Sequence, residues 1–275
     1  MVKIFISYSH RDEELRNQLG VHLEILKREG IIEPWHDRRI GAGKDVHAEI
    51  SDSLEAADLV LLLVSPDFLA SDYCFEIEMK RALARNQAGA ARVIPVILRP
   101  CDWHRAPFGH LRATPADGHP ISKSVDRDEA FLQVSRDIRS AAEEIGAARQ
   151  RDNFSRYCLD MIASKFETGV ERMGRSKRRQ AAFTRLDEDT FQASYVDFRE
   201  ERRSCTVWRT RQGEILYSPG PAPLAEQATE SLSIIEALGI KLLRTRGGKE
   251  LVSLTAADHL WRLFAPTDTP APFSF

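Results

Sequence analysis

Three groups of residues carry side chains suited to chemistry. The first is the run Lys3-Ile4-Phe5-Ile6-Ser7-Tyr8-Ser9-His10-Arg11-Asp12. It reads as a buried strand that breaks into a polar loop, because Phe5 and Ile6 are strand formers and Ser9, His10 and Asp12 suit a turn and a helix cap. A loop leaving the carboxyl end of a central parallel strand is where open α/β sheets place their ligands. The second group is a carboxylate pair, Glu76 and Glu78, on a helix predicted from about Tyr73 to Arg85. Helical positions two apart point about 200° apart. The two carboxylates therefore border the apolar face of Phe75, Met79, Ala82 and Leu83 on opposite sides, and a single cleft uses only one of them. Read alone, either is a solvated surface glutamate. The third group is Gly41-Ala42-Gly43-Lys44, preceded by Arg38 and Arg39. A phosphate loop of the G-x-x-x-x-G-K-S/T kind is excluded, since Arg38 stands at its first glycine and Asp45 follows the lysine. What is left is a charged loop whose Arg38, Arg39 and Lys44 can meet a pyrophosphate or a neighbouring protomer.

These groups must be positioned by elements, and the first half of the chain supplies an alternating series. After the Lys3–Ser7 strand, Leu15, Leu19, Leu23 and Leu26 mark a helix that Gly30 ends. A short strand at Ile32–His36 leads into the charged loop Asp37–Asp45, and Val46, Ile50 and Leu54 mark a second helix. Leu59–Ser65 and Val93–Leu98 are near-continuous apolar strands, as expected when both faces of a parallel sheet are covered. Arg99–Pro120 is irregular, and Phe131, Val134, Ile138, Ala142 and Ile145 form a last amphipathic helix. The repetition predicts a doubly wound, flavodoxin-like parallel α/β sheet.

The pattern changes near residue 150. A helix is expected at Phe154–Val170, then strands at Phe191–Phe198, Ser204–Thr210 and Glu214–Tyr217, the last two joined as a hairpin by Arg211-Gln212-Gly213. A helix is expected at Leu224–Leu238, and a second hairpin at Ile240–Arg244 and Glu250–Leu254. The expected organisation is residues 1–148 as the parallel domain, 149–265 as a smaller α+β domain and 266–275 as a loose tail. The second half is rich in arginine with aromatic residues between, including Arg178, Arg179, Arg203 and Trp208. Arginine forks bind phosphate and an aromatic ring stacks on a base, so an anionic or nucleotide ligand is the first reading. Nucleic acid, which needs the charges on one face, ranks below an ordinary dimerisation domain.

Composition narrows the classes. The chain has 275 residues, a net charge of −2 and a 43% hydrophobic share, so overall charge favours no partner. The longest apolar run, Leu59–Val64, is too short to cross a membrane, and the N-terminus lacks the pattern of a signal peptide. Cys74, Cys101, Cys158 and Cys205 form no C-x-x-C pair, which argues against structural zinc and a disulfide framework and for a reducing cytoplasm. No G-x-S-x-G elbow, H-E-x-x-H motif or histidine cluster offers a hydrolase triad or a catalytic metal. Trp103 offers a flat face for an adenine or nicotinamide ring, or a hydrophobic anchor.

Five segments, in order and spacing, resemble TIR (Toll/interleukin-1 receptor) domains over roughly residues 1–148. They are Phe5-Ile6-Ser7-Tyr8-Ser9, then Trp35-His36-Asp37 with Gly41-Ala42-Gly43-Lys44, and Leu61-Leu62-Leu63-Val64-Ser65-Pro66. Ser71–Glu78 and Val93-Ile94-Pro95-Val96-Ile97 with Trp103 complete the set. Some TIR domains cleave NAD+ and others are adaptors. The resemblance implies that a glutamate on the Tyr73–Arg85 helix faces the ribose next to nicotinamide, and Ala82-Leu83 fits the family pattern for Glu78 rather than Glu76. It implies substrate contacts from Tyr8, Ser9 and His10, with Asp37 orienting the adjacent loop, and a site completed by a neighbouring subunit. The expectation is therefore an NAD+ nucleosidase of bacterial antiphage defence. NAD+ is its substrate, and it needs neither cofactor nor metal. It would assemble into dimers or filaments when a cyclic nucleotide or other anionic signal binds the second domain. The alternatives are a non-catalytic adaptor and a cyclase that makes a cyclic ADP-ribose messenger.

Overall fold

A computed structural model describes residues 1–33, 46–72, 77–175, 180–196, 200–220 and 228–266. The chain divides into two compact units, Met1–Ala147 and Ala148–Phe275. The first is built on four parallel strands in the order β2-β1-β3-β4, with β1 at Val2–Ser7, β2 at Ile32–Glu33, β3 at Leu59–Val64 and β4 at Arg92–Ile97. Helices α1 (Glu13–His22) and α2 (Glu24–Arg28) precede β2, and α3 (Val46–Ala56) precedes β3. A short α4 (Pro66–Leu69) and α5 (Lys80–Gln87) lie between β3 and β4. Every residue of β3 is buried, as the sequence of a strand covered on both faces requires.

Strand alternation splits the core in two. Ile4, Ile6 and Tyr8 of β1 and its exit join Leu59, Leu61 and Leu63 on one face, against Leu15, Leu19 and Leu23 and against Phe131, Val134 and Ile138. Phe5, Val60, Leu62 and Val64 occupy the other face, with Leu54, Phe68, Met79, Ala82, Trp103 and Phe108.

The two helices expected on either side of residue 150 are one. Helix α6 runs unbroken from Arg127 to Gly174, 48 residues. Its single glycine near the expected break, Gly146, is followed by Ala147, Ala148 and Arg149. Helix formers carry the turn across a glycine that costs only about 1 kcal/mol.

The second unit is a seven-stranded antiparallel meander in the order β11-β10-β9-β8-β7-β6-β5. Its strands are β5 (Ala181–Arg185), β6 (Thr190–Val196), β7 (Arg202–Arg209), β8 (Ile215–Pro219), β9 (Glu230–Ala237), β10 (Ile240–Thr245) and β11 (Glu250–Leu251), and α7 (Ser253–Phe264) follows. Residues 224–227 of the helix expected at Leu224–Leu238 lie outside the described residues, and the rest holds strand β9, not a helix. Ser231, Leu232, Ser233 and Ile234 alternate with period two, and only Leu232 and Ile234 turn to the core. Leu238 at φ 54° and Gly239 at φ 73° make the tight turn into β10, the left-handed backbone a hairpin turn demands. The strand expected at Glu250–Leu254 stops at Leu251, and α7 begins two residues later. One face of the sheet buries Phe191, Tyr195, Val207, Ile215 and Leu243 with Ile162, Phe166 and Val170 of α6 and with Leu260, Trp261 and Phe264 of α7. A Cβ on Gly169 would lie 2.2 Å from the Trp261 ring, so a glycine is needed where α6 meets that indole.

Candidate functional site

The strand order of the first unit has one switch point. From β1 the chain passes to β2 on one side, and then to β3 on the other. Ligands of open parallel sheets bind in the crevice outside the carboxyl ends of strands at such a point. Ser7 ends β1 there and Ser65 follows β3, and both are fully buried.

On the face shared by Phe5, Val60 and Met79, the Ser7 hydroxyl donates to Glu78 Oε2 at 2.5 Å. Glu78 is 1% exposed, whereas its neighbour Ile77 is 56% exposed. This inverts the usual sorting of apolar and charged side chains. The local cause is a π turn over residues 77–79, directly before α5 begins at Lys80. On a regular helix Glu78 would sit at the border of the apolar face. The wider turn brings it inside with Met79, while Ile77, two positions before Met79, lies on the outer side. Single π turns are frequent at functional sites.

A second polar cluster lies at the same strand ends. Ser65 Oγ accepts from the Phe68 amide at 3.0 Å, capping α4, and donates to Asp12 Oδ2 at 2.5 Å. Arg99, just past β4, donates from Nε to Asp12 Oδ1 at 2.8 Å and pairs with Asp67. The bond to Asp67 does most to hold the Arg99 guanidinium above its ordinary pKa; partial burial opposes this and Asp12 adds to it. The cluster ties the exits of β1, β3 and β4 together, and so fixes the rim around Ser7.

The expected contacts around Glu78 are distributed differently. The Tyr8 side chain belongs to the core cluster of Ile4 and Ile6, not to that of Phe5 and Met79. Strand alternation sends it to the opposite face of the sheet, where it packs with Ile6 and Leu15 under the Arg16 guanidinium, 5.6 Å from the ring centre. Ser9 caps the 3-10 turn His10–Asp12 through the Arg11 amide, and His10 is exposed with its ring T-shaped to that of Tyr8. Trp103 lies in the core on the Glu78 face of the sheet, 7% exposed, with His104 stacked on it at 3.9 Å and Gly118 against its edge. Its indole is used as an anchor, not as an open platform for a base. Asp37, Arg38, Lys44 and Glu76 lie outside the described residues. Ser7, Asp12, Ser65 and Arg99 were not expected as site residues, although Ser7 stands inside the first motif.

In the second unit, Arg178 and Arg179 lie outside the described residues. Arg203 and Trp208 do not form one site. They are five residues apart on β7, and side chains alternate, so Arg203 shares the face of Cys205 and Val207 and Trp208 takes the other. Burial pushes the Cys158 thiol up to about 12 and raises that of Cys205 further, so neither is a nucleophile at neutral pH. Among the described residues no three His, Cys, Asp or Glu side chains converge as metal ligands, and no helix is long and apolar enough to cross a membrane.

The TIR domain family model matches residues 4–133. An uncharacterized protein of Sinorhizobium fredii, y4lF, is 43% identical over 243 residues, covering 74% of this chain and 75% of that one. The TIR domain of the Toll-related receptor TRR-2 from Hydra magnipapillata is 23% identical, covers 50% of this chain and 99% of its own, and superposes with a TM-score of 0.38.

Proposed function

The chain is a TIR-domain protein, with that domain at residues 4–133, and from this membership we propose that the first unit cleaves the bond between nicotinamide and ribose in NAD+. The observation that carries the reading is the inverted burial at the π turn, which places the Glu78 carboxylate against Ser7 at the switch point of the sheet. In the reaction the bond from ribose C1′ to the pyridinium nitrogen breaks, and its electron pair leaves with nicotinamide, now neutral. The ribose gains oxocarbenium character. A carboxylate beside the ribose stabilises that charge, as in glycoside hydrolysis. Water adds to C1′ and loses a proton, giving ADP-ribose; capture by a group on the same substrate gives a cyclic product instead. No general acid is needed, because the leaving group departs neutral.

With Glu78 enclosed, turnover requires the site to open toward the ribose, and self-association is the change we assign to that step. A nucleotide-type signal and a role in antiphage defence belong to the same reading. Such a signal must be held by residues of one face of the second sheet, since Arg203 and Trp208 face apart.

The test is nicotinamide release from NAD+ by the purified full chain, alone and with a panel of anionic metabolites. Glu78→Gln is expected to lower the rate by about 10²–10³-fold while the melting temperature changes little. Activity kept in Glu78→Gln would remove the carboxylate from the mechanism. A second reading is favoured by the completeness of Glu78 burial: a non-catalytic interaction module in which Ser7–Glu78 only fastens α5 to β1. It predicts no release under any condition and a loss of stability in Glu78→Ala.

A further inference from the structure

We propose that two copies of this chain join through β5, edge to edge and antiparallel, so that the second-unit sheet of one continues into that of the other. The sheet ends at β5, and no other described strand pairs with its outer side. Among the described strands the other long edge, β4, is covered, since Thr114 flanks it by donating to Pro95 O and accepting from the Ile97 amide. The opposite end of the seven-stranded sheet, β11, is two residues long and leads directly into α7. β5 is five residues of Ala-Ala-Phe-Thr-Arg, with no proline, lysine or carboxylate to discourage pairing.

The ladder shows which backbone groups face outward. Val196 N donates to Gln180 O and Leu186 N to Thr190 O, bracketing the β5–β6 pairing. Bonding alternates along an antiparallel pair, so Ala182 and Thr184 turn their N–H and C=O toward β6. Ala181, Phe183 and Arg185 turn theirs away. A two-fold axis at Phe183 sets Phe183 opposite its own copy and Ala181 opposite Arg185, and satisfies all six outward groups of each strand pair member by member.

The side chains fit that register. Phe183 is half-buried, with its ring 5.3 Å from Phe191, so pairing extends the aromatic row Phe191–Phe183 across the axis. Arg185 is held by Asp160 and the Glu188 carbonyl of its own chain and meets Ala181, so no like charges oppose each other. This inference does not depend on the catalytic reading of the first unit.

Sedimentation of the full chain at tens of micromolar is expected to show a dimer, and Ala181→Pro a monomer with unchanged circular dichroism. Proline there removes an outward N–H and no bond to β6. Phe183→Cys is expected to give a reducible dimer on oxidation that the unmodified chain does not, because facing Cα atoms of a bonded pair sit about 5.5 Å apart. A monomeric full chain, or a folded Ala181→Pro that stays dimeric, overturns the proposal. If Ala181→Pro fails to fold, the Phe183→Cys cross-link decides: its presence supports the pairing and its absence refutes it.

Discussion

At the carboxyl ends of β1 and β3, buried polar side chains meet one another: Ser7 with Glu78, and Ser65 with Asp12. In the second unit Ser155 and Thr206 also bond within the fold, to the Gly213 and Gly220 carbonyls, but the charged groups reach toward water. Arg209 has only 5% of its side chain exposed, but its partners Asp152 and Asp189 are 45% and 42% exposed. Glu230 is met by His259 of α7 at 2.8 Å and by the backbone amides of Ser231 and Arg246. Those contacts fasten helices to a sheet and leave the outer partner hydrated. A carboxylate enclosed with a hydroxyl at a strand end gains less for stability than an apolar side chain would. The parallel sheet concentrates polar groups at one rim because every strand ends there. The antiparallel meander scatters its strand ends to both rims and uses its polar residues as ties.

Four substitutions test that contrast. Phe166→Ala should cost the second unit about 3–5 kcal/mol, because the ring is fully buried among Phe191, Trp261 and Phe264. Denaturant unfolding would show it, and cleavage by the first unit should fall only to the extent that it needs association. Ser7→Ala should cost about 1–3 kcal/mol by removing a donor to a buried carboxylate. If it also abolishes nicotinamide release while Ser65→Ala merely destabilises, the two strand-end clusters differ in kind; equal effects on release would erase the distinction. Arg209→Met should cost about 1–2 kcal/mol, since the stem still fills space and both aspartates can hydrate. A change in NAD+ cleavage in this folded variant would contradict its role as a tie.

The smallest effect concerns acid. Burial alone would raise the Glu230 carboxyl, but the bond to His259 and the two backbone amides outweigh it and hold it below the ordinary value. A depressed folded-state pKa stabilises the fold above the unfolded value of about 4.3 and loses that stabilisation as pH falls through the folded one. Melting temperature followed from pH 7 to pH 3 should therefore fall more steeply for the wild type than for Glu230→Gln, with the two curves converging in acid. Parallel curves would show that Glu230 carries no linkage.

Much of the first unit was legible in its residues. Leu59–Val64 could only be a strand covered on both faces, and the loop after Lys3–Ser7 did prove to leave the sheet at its switch point. The second unit was less legible. Leu224–Leu238 holds enough apolar residues to suggest a helix, and the alternation of Ser231, Leu232, Ser233 and Ile234 is short enough to miss. α7 escaped notice because Glu250–Leu254 continues a hairpin pattern locally, and only docking of Leu260, Trp261 and Phe264 beside Phe166 makes the helix worth forming.

Periodicity along the chain was sufficient to determine the parallel architecture, because it follows from spacing between near neighbours; it left Glu76 and Glu78 as alternatives, and the family resemblance favoured Glu78. Tertiary structure alone decided that Ser7 meets Glu78 across 71 positions, that Tyr8 turns to the other face, and that Arg203 and Trp208 point apart. The physical reason is that a strand sends successive side chains to opposite faces, and a π turn rotates those that follow it. One residue of register therefore separates a shared site from two unrelated surfaces.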